Sequence, residues 1–141
     1  MPNVDTHRQL HELFNRRDWD ALGAHLREDV TFTDMARGLT MKSIDDVKGW
    51  LGEWATAFSD ATVGNPVYLD GGDFSVATFH GRGTNDGQLG TFAATGRRMD
   101  VAFCEILRYD GDGKVASAEI YYDQLSIMAQ LGHVEVPICM T

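Results

Sequence analysis

The hydrophobic period of this chain changes near residue 60, and that change limits the folds open to it. Ahead of it, apolar residues recur at helical spacing. Leu10, Leu13 and Phe14 form one stripe. Trp19, Leu22 and Leu26 form another after a break at Asn15-Arg16-Arg17, and Ile44, Val47, Trp50, Trp54 and Phe58 form a third. Ser43 with Asp46 three residues on is a capping-box-like start for that third helix. Val30, Phe32 and Asp34 alternate as a short strand. Beyond residue 60 the period is two. Segments 61–69, 74–82, 97–109 and 114–123 read as strands between glycine-rich turns, and a short helix over 124–131 stops at Gly132. Helices gathered ahead of a run of strands predict an α+β fold. The expected form is a curved antiparallel sheet with N-terminal helices over one face, a cone-shaped barrel with an internal pocket. At 141 residues, without internal repeat or linker, 1–141 is expected to be one domain. Segment 133–141 would be a tail that either tucks over the pocket or dangles.

The last third of the chain carries an acidic residue where an oil-facing one is expected. Met99, Val101, Phe103, Leu107 and Tyr109 alternate as the buried face of a strand, and Glu105 sits in their register. If Tyr109 pairs with Lys114 across the turn Asp110-Gly-Asp-Gly113, that face continues through Ala116, Ala118, Ile120 and Tyr122. A carboxyl on such a surface loses its solvation, which favours the neutral form and raises its pKa, as suits a general acid or base near neutral pH. Pairing with an arginine, or a bulge that turns Glu105 to solvent, would be the structural alternative. Asp34 shares the face of Val30 and Phe32 and is placed either at the pocket mouth or in a loop. Trp50 and Trp54 lie on the helix expected to cover the pocket, as core or as aromatic wall. Tyr122 is expected to donate to a substrate carbonyl or to pack with its hydroxyl at the rim. Val101, Phe103, Ala118 and Ile120 complete the expected lining.

Charge and cysteine content exclude several classes. A formal charge of −9 argues against nucleic acid and anionic membrane, which both demand a basic face. No apolar run approaches a membrane span and the N-terminus has no signal core, so a cytoplasmic protein is expected. Cys104 and Cys139 form neither a metal spacing nor a disulfide framework. Asp110-Gly-Asp-Gly113 opens like a calcium loop, but the twelfth position is Tyr121 rather than a bidentate Glu, so it reads as a hairpin turn. Among the five histidines only His7 and His11 lie one helical turn apart. Without a third ligand in view they read as a solvated face, His80 reads as surface or dimer contact, and no metal or cofactor is expected.

Residues 83–132 carry a family resemblance. Gly83 and Gly87, Thr95-Gly96-Arg97, Gly113-Lys114, Asp123 and Gln130-Leu131-Gly132 stand in the order and spacing of the SnoaL-like polyketide cyclases, within the nuclear-transport-factor-like, cystatin-like superfamily. The resemblance implies a dimeric α+β barrel around a pocket for a polycyclic or similar apolar ligand. It also implies ring closure by an intramolecular aldol reaction without cofactor, using an Asp supported by a His. Counting along the motif, the family's pocket His falls on Glu105 and its catalytic Asp on Ile120, with Glu119 one step away. The extra residue in the Asp110–Gly113 turn leaves open whether Glu119 or Ile120 faces inward, because a one-residue slip exchanges the two faces of a strand. Asp123 matches the family but stands where a helix N-cap is expected.

Two functions follow as expectations. One is a cofactor-independent cyclase or isomerase in which Glu105 moves a proton beside a carbonyl, with Asp34, Tyr122 or Glu119 in support; a hydroxylating member would share the fold. The other is a non-catalytic module that holds an apolar small molecule, or pairs two copies through Val115, Ser117, Glu119 and Tyr121 on the outer sheet face.

Overall fold

The computed structural model describes residues 2–136. Helix α1 (Asn3–Asn15) and the short α2 (Trp19–Gly23) lead into β1 (Leu26–Asp34) and β2 (Leu39–Met41). Helix α3 (Ile44–Ala57) follows, then β3 (Thr62–Asp70), β4 (Phe74–Thr84), β5 (Arg98–Tyr109), β6 (Val115–Tyr122) and α4 (Gln124–Gln130). The local signals act as expected at two helix starts. Ser43 Oγ accepts from the Asp46 amide at 3.0 Å, and Asp123 caps α4 by accepting from the Leu125 and Ser126 amides.

The six strands form one sheet in the order β2-β1-β6-β5-β4-β3. Its two edges remain apart, so the α+β fold is a curved open sheet rather than a closed barrel. All neighbours are antiparallel except β1 and β6, which run parallel because the long excursion through β2, α3 and the strands β3 to β5 returns the chain in its original direction. Register shifts in β1, β3 and β6 mark irregularities of the kind that bend strands. Helix α1 packs on β3 and β4, and α3 on β1 and β2. Phe32, Ala77, Phe79, Val101, Phe103, Leu107, Ala118 and Ile120 fill the space between. The loop 85–97 is pinned by buried Asn85, which donates to Ala57 O and Gly87 O and accepts from the Thr95 amide.

The β5–β6 register corrects one expectation and decides another. Tyr109 pairs with Val115, not Lys114, and a shift at Arg108 absorbs the extra turn residue. Val115 therefore takes the inward place expected of Ala116 and is fully buried, which removes it from the outer face. Glu105 pairs with Ile120, so Ile120 faces inward. Glu119 points outward, ion-paired with Arg108 and accepting from Tyr121. It has no part in the pocket. Among the described residues no helix is long and apolar enough to cross a membrane. Cys139 and the tail beyond Val136 lie outside the described residues, and Cys104 is a half-buried free thiol.

Candidate active site

Helix α1 places His7, Leu10, His11 and Phe14 at i, i+3, i+4 and i+7, so two imidazoles share the stripe that packs on the sheet. His7 is fully buried and His11 retains 7% exposure. The expectation of a solvated face is thereby corrected: both rings turn inward onto β5. His7 Nε2 lies 2.9 Å and His11 Nε2 2.8 Å from the same atom, Glu105 Oε1. On the far side of each ring stands a hydroxyl. His7 Nδ1 is 2.7 Å from Ser75 Oγ, which is 2.7 Å from the Tyr109 hydroxyl, and His11 Nδ1 is 2.8 Å from the Tyr68 hydroxyl.

One proton arrangement satisfies the whole cluster. Both Nε2–H groups donate to Glu105, Ser75 and Tyr68 donate to the two Nδ1 atoms, and Tyr109 donates to Ser75. Glu105 Oε2 accepts no hydrogen bond from the described residues, and the side chain keeps 10% exposure toward the cavity it helps to line. Burial pushes the Glu105 carboxyl up. Hydrogen bonds from His11 and His7, and the positive charge either ring can carry, override that and hold it at about 2. This reverses the raised value expected from the sequence: the burial was legible, the two donors were not. Burial likewise pushes the Tyr68 and Tyr109 hydroxyls up to about 12, so both remain donors at neutral pH.

A cavity of about 80 Å³ opens beside this cluster. Trp50, Trp54, Phe79, Phe103 and Ile120 form its apolar walls, His11 and Glu105 face it, and Phe14, Thr62, Val63 and Arg82 surround its rim. Phe79 and Phe103 stack at 5.3 Å, and Gly81 leaves room for them, since a Cβ there would meet Phe103 at 2.4 Å. The expected wall residues Trp50, Trp54, Phe103 and Ile120 thus line the cavity, whereas Val101 and Ala118 pack in the core beside it.

Asp34 is not at a mouth. It is fully buried at the end of β1 and accepts from Trp50 Nε1 at 3.0 Å, the Tyr122 hydroxyl at 2.7 Å and the Arg37 amide at 3.1 Å. Burial, and Asp34 as acceptor, keep the Tyr122 hydroxyl protonated well above its usual range. The hydroxyl expected to serve a substrate is already committed to Asp34. His80 stands on the outer face paired with Asp100 at 2.8 Å, as expected of a surface residue.

His7, His11 and Glu105 are also a potential ligand set, offering three atoms within 4.8 Å of one another. The sequence did hold a signal for this cluster, because His7 and His11 occupy the same helical stripe as Leu10 and Phe14. Ser75 and Tyr68 could not be found that way, lying 68 and 57 residues from their partners.

The sequence profile described as SnoaL-like polyketide cyclase matches residues 4–131, and the chain belongs to that family. Among curated proteins none matches it. Several solved structures share the fold. IdmH of Streptomyces antibioticus, assigned as a polyketide cyclase, superposes with a TM-score of 0.80 at 22% identity over 94% of this chain and 99% of its own. AclR of Streptomyces galilaeus, assigned as a hydroxylase, gives 0.81 at 21% over 96% of this chain and 84% of its own. A protein of Catenulispora acidiphila DSM 44928 with a ketosteroid isomerase-like fold gives 0.77 at 22% over 90% and 92%. At these identities the likeness speaks for the fold alone.

Proposed function

We propose that this member of the family is an acid/base enzyme that moves a proton beside a carbonyl of an apolar small molecule, closing or isomerising a ring. One observation carries the reading: a buried carboxylate that lines a cavity walled by aromatic side chains takes both histidine hydrogen bonds on one oxygen, Oε1, and leaves Oε2 without a partner among the described residues. Held at about 2, Glu105 is ionised at neutral pH and acts as the base, not the acid. A carboxylate is a weak base and works best on a substrate whose C–H is already acidic. A carbon flanked by two carbonyls meets that condition, as in a poly-β-ketone chain. Glu105 Oε2 takes that proton, the carbanion attacks a second carbonyl of the same molecule, and the resulting alkoxide is reprotonated, with loss of water where the ring aromatises. The aromatic walls fix the approach and exclude water.

The cavity sets a size limit. About 80 Å³ is less than the roughly 150 Å³ of a cavity that accepts benzene. The reacting end of a polycyclic substrate would therefore enter while the remainder passes out over Thr62 and Arg82. This reading places the protein in the cytoplasm, in secondary metabolism, as a homodimer joined across the outer sheet face near Ser117, Glu119 and Tyr121.

Mass-resolved chromatography of anthraquinone-type polyketide intermediates, incubated with wild type and Glu105→Gln, tests the proposal. A product of unchanged mass, or lighter by one water, formed only by wild type supports it. The variant is expected to lose ~2–4 kcal/mol of transition-state stabilisation while still binding substrate. Equal turnover by both proteins overturns it. A product heavier by one oxygen points instead to hydroxylation, the assignment carried by AclR. A compound that co-purifies unchanged with both proteins points to a binding module.

A further inference from the structure

The two imidazoles and the carboxylate have a second capacity that proton transfer does not use. One nitrogen of His7, one of His11 and a Glu105 oxygen lie within 4.8 Å of one another, and both Nε2 atoms are already in contact with Glu105 Oε1. Two imidazole nitrogens and one carboxylate oxygen are the donor set of borderline divalent ions such as zinc and ferrous iron. Ligands about 2.1 Å from one tetrahedral ion stand ~3.4 Å apart, so the two Nε2···Oε1 contacts at 2.9 and 2.8 Å would open by about half an ångström, and any pair nearer the 4.8 Å limit would close, to seat it.

The shell behind the ligands fits as well. A metal-bound imidazole must carry its proton on the other nitrogen and find an acceptor there. Behind His7 Nδ1 stands Ser75 Oγ at 2.7 Å, and behind His11 Nδ1 the Tyr68 hydroxyl at 2.8 Å. Both are hydroxyls, which accept as readily as they donate. Moving each ring proton from Nε2 to Nδ1 therefore requires only that the Ser75, Tyr68 and Tyr109 O–H groups rotate, Ser75 then donating onward to Tyr109. A carbonyl or an amide in either place could serve only one of the two tautomers. The site also has an open side, because His11 and Glu105 face the cavity while His7 closes the back.

We infer that His7, His11 and Glu105 form a binding site for one divalent transition-metal ion with an open position toward the cavity. This revises the expectation of no metal and goes beyond the acid/base reading. The ion would offer a substrate carbonyl the electrophile that Tyr122, committed to Asp34, cannot supply. The binding itself does not depend on that reading.

The test is titration of the chelator-treated full chain with Co²⁺, followed by visible absorption and equilibrium dialysis. One equivalent per chain, with ligand-field bands of low-symmetry imidazole–carboxylate coordination, is expected. His7→Gln, His11→Gln and Glu105→Gln should each weaken binding at least 100-fold. Ser75→Ala should weaken it roughly tenfold through the ring behind which it stands, and His80→Ala on the outer face should leave it unchanged. The three ligand variants are checked for folding by circular dichroism. If any fails, the wild-type stoichiometry and spectrum together with Ser75→Ala still decide. Absence of a stoichiometric Co²⁺ spectrum, or binding that persists in the folded ligand variants, overturns the site. Binding is read without substrate, so this failure is distinct from a failure of Glu105 as base, which appears as turnover retained in Glu105→Gln.

Discussion

Two buried carboxylates lie on the inner face of this sheet, and their surroundings differ in one respect that matters. Asp34 has both oxygens engaged, one by the Arg37 amide and the other by Trp50 and Tyr122. Glu105 lines the cavity, has two donors crowded onto Oε1 and leaves Oε2 without a partner among the described residues. Each is ionisable and each is withdrawn from water, so burial alone does not separate structure from function. The spare acceptor does. Asp34 ties β1 to α3 and β6 and fixes Trp50 in the cavity wall, whereas Glu105 keeps an atom available to whatever enters.

The largest expected effect would break the comparison from the structural side. Asp34→Ala leaves the Trp50 N–H and the Tyr122 hydroxyl buried without an acceptor, and should cost ~2–5 kcal/mol in denaturant unfolding. Glu105→Gln should cost less in the same experiment, because an amide oxygen still accepts from both imidazoles and no buried donor is orphaned. If the two variants lose equal stability, the assignment of one carboxylate to architecture and the other to chemistry fails. Turnover separates them in the opposite sense, Glu105→Gln losing ~2–4 kcal/mol of transition-state stabilisation.

Acid stability sharpens the contrast. Glu105 is held at about 2 in the folded chain, below its ordinary 4.5. Between those values the native state binds fewer protons than the unfolded state, so acidification favours unfolding. The stability Glu105 contributes is complete above about 4.5 and disappears as pH falls toward 2. Wild type should therefore lose more stability than Glu105→Gln across that window, by on the order of 1 kcal/mol or more. Asp60, Asp86, Asp100 and Asp123 are also held low by hydrogen bonds, but they are common to both proteins and cancel in the difference. Parallel curves would mean that His7 and His11 do not stabilise the anion.

Strand alternation was enough to turn Glu105 inward, and the switch in period was enough for the α+β fold, because both follow from local periodicity and burial. The same periodicity could not give the sign of the Glu105 pKa. Desolvation is a property of the face, but the donors come from a helix 94 and 98 residues away in sequence. For His7 and His11 the solvated face usual near a terminus, with no third ligand close in sequence, competes with a buried one. Their shared stripe with Leu10 and Phe14 was the stronger signal. Glu119 and Ile120 could not be ordered from sequence because the irregularity that leaves Ala116 unpaired between the Tyr109–Val115 and Arg108–Ser117 pairs, and so sets the register, leaves no mark in hydrophobic alternation.

The smallest effects compare the two tyrosines that serve these carboxylate sites. Tyr68→Phe and Tyr122→Phe each delete one hydroxyl, and each should cost ~1–2 kcal/mol of stability. Their kinetics should diverge. Without Tyr68, His11 Nδ1 loses the donor that fixes its proton on Nε2, so the hydrogen bond that supports the Glu105 anion is no longer enforced. Tyr68 is thus a positioning residue, and kcat should fall roughly tenfold, about 1.4 kcal/mol, with KM unchanged. Without Tyr122, Asp34 still accepts from Trp50 and Arg37, so the cavity wall keeps its place and kcat should stay within about twofold. A matching fall in both variants would mean that the carboxylates work as one network across the cavity rather than as a structural anchor and a separate base.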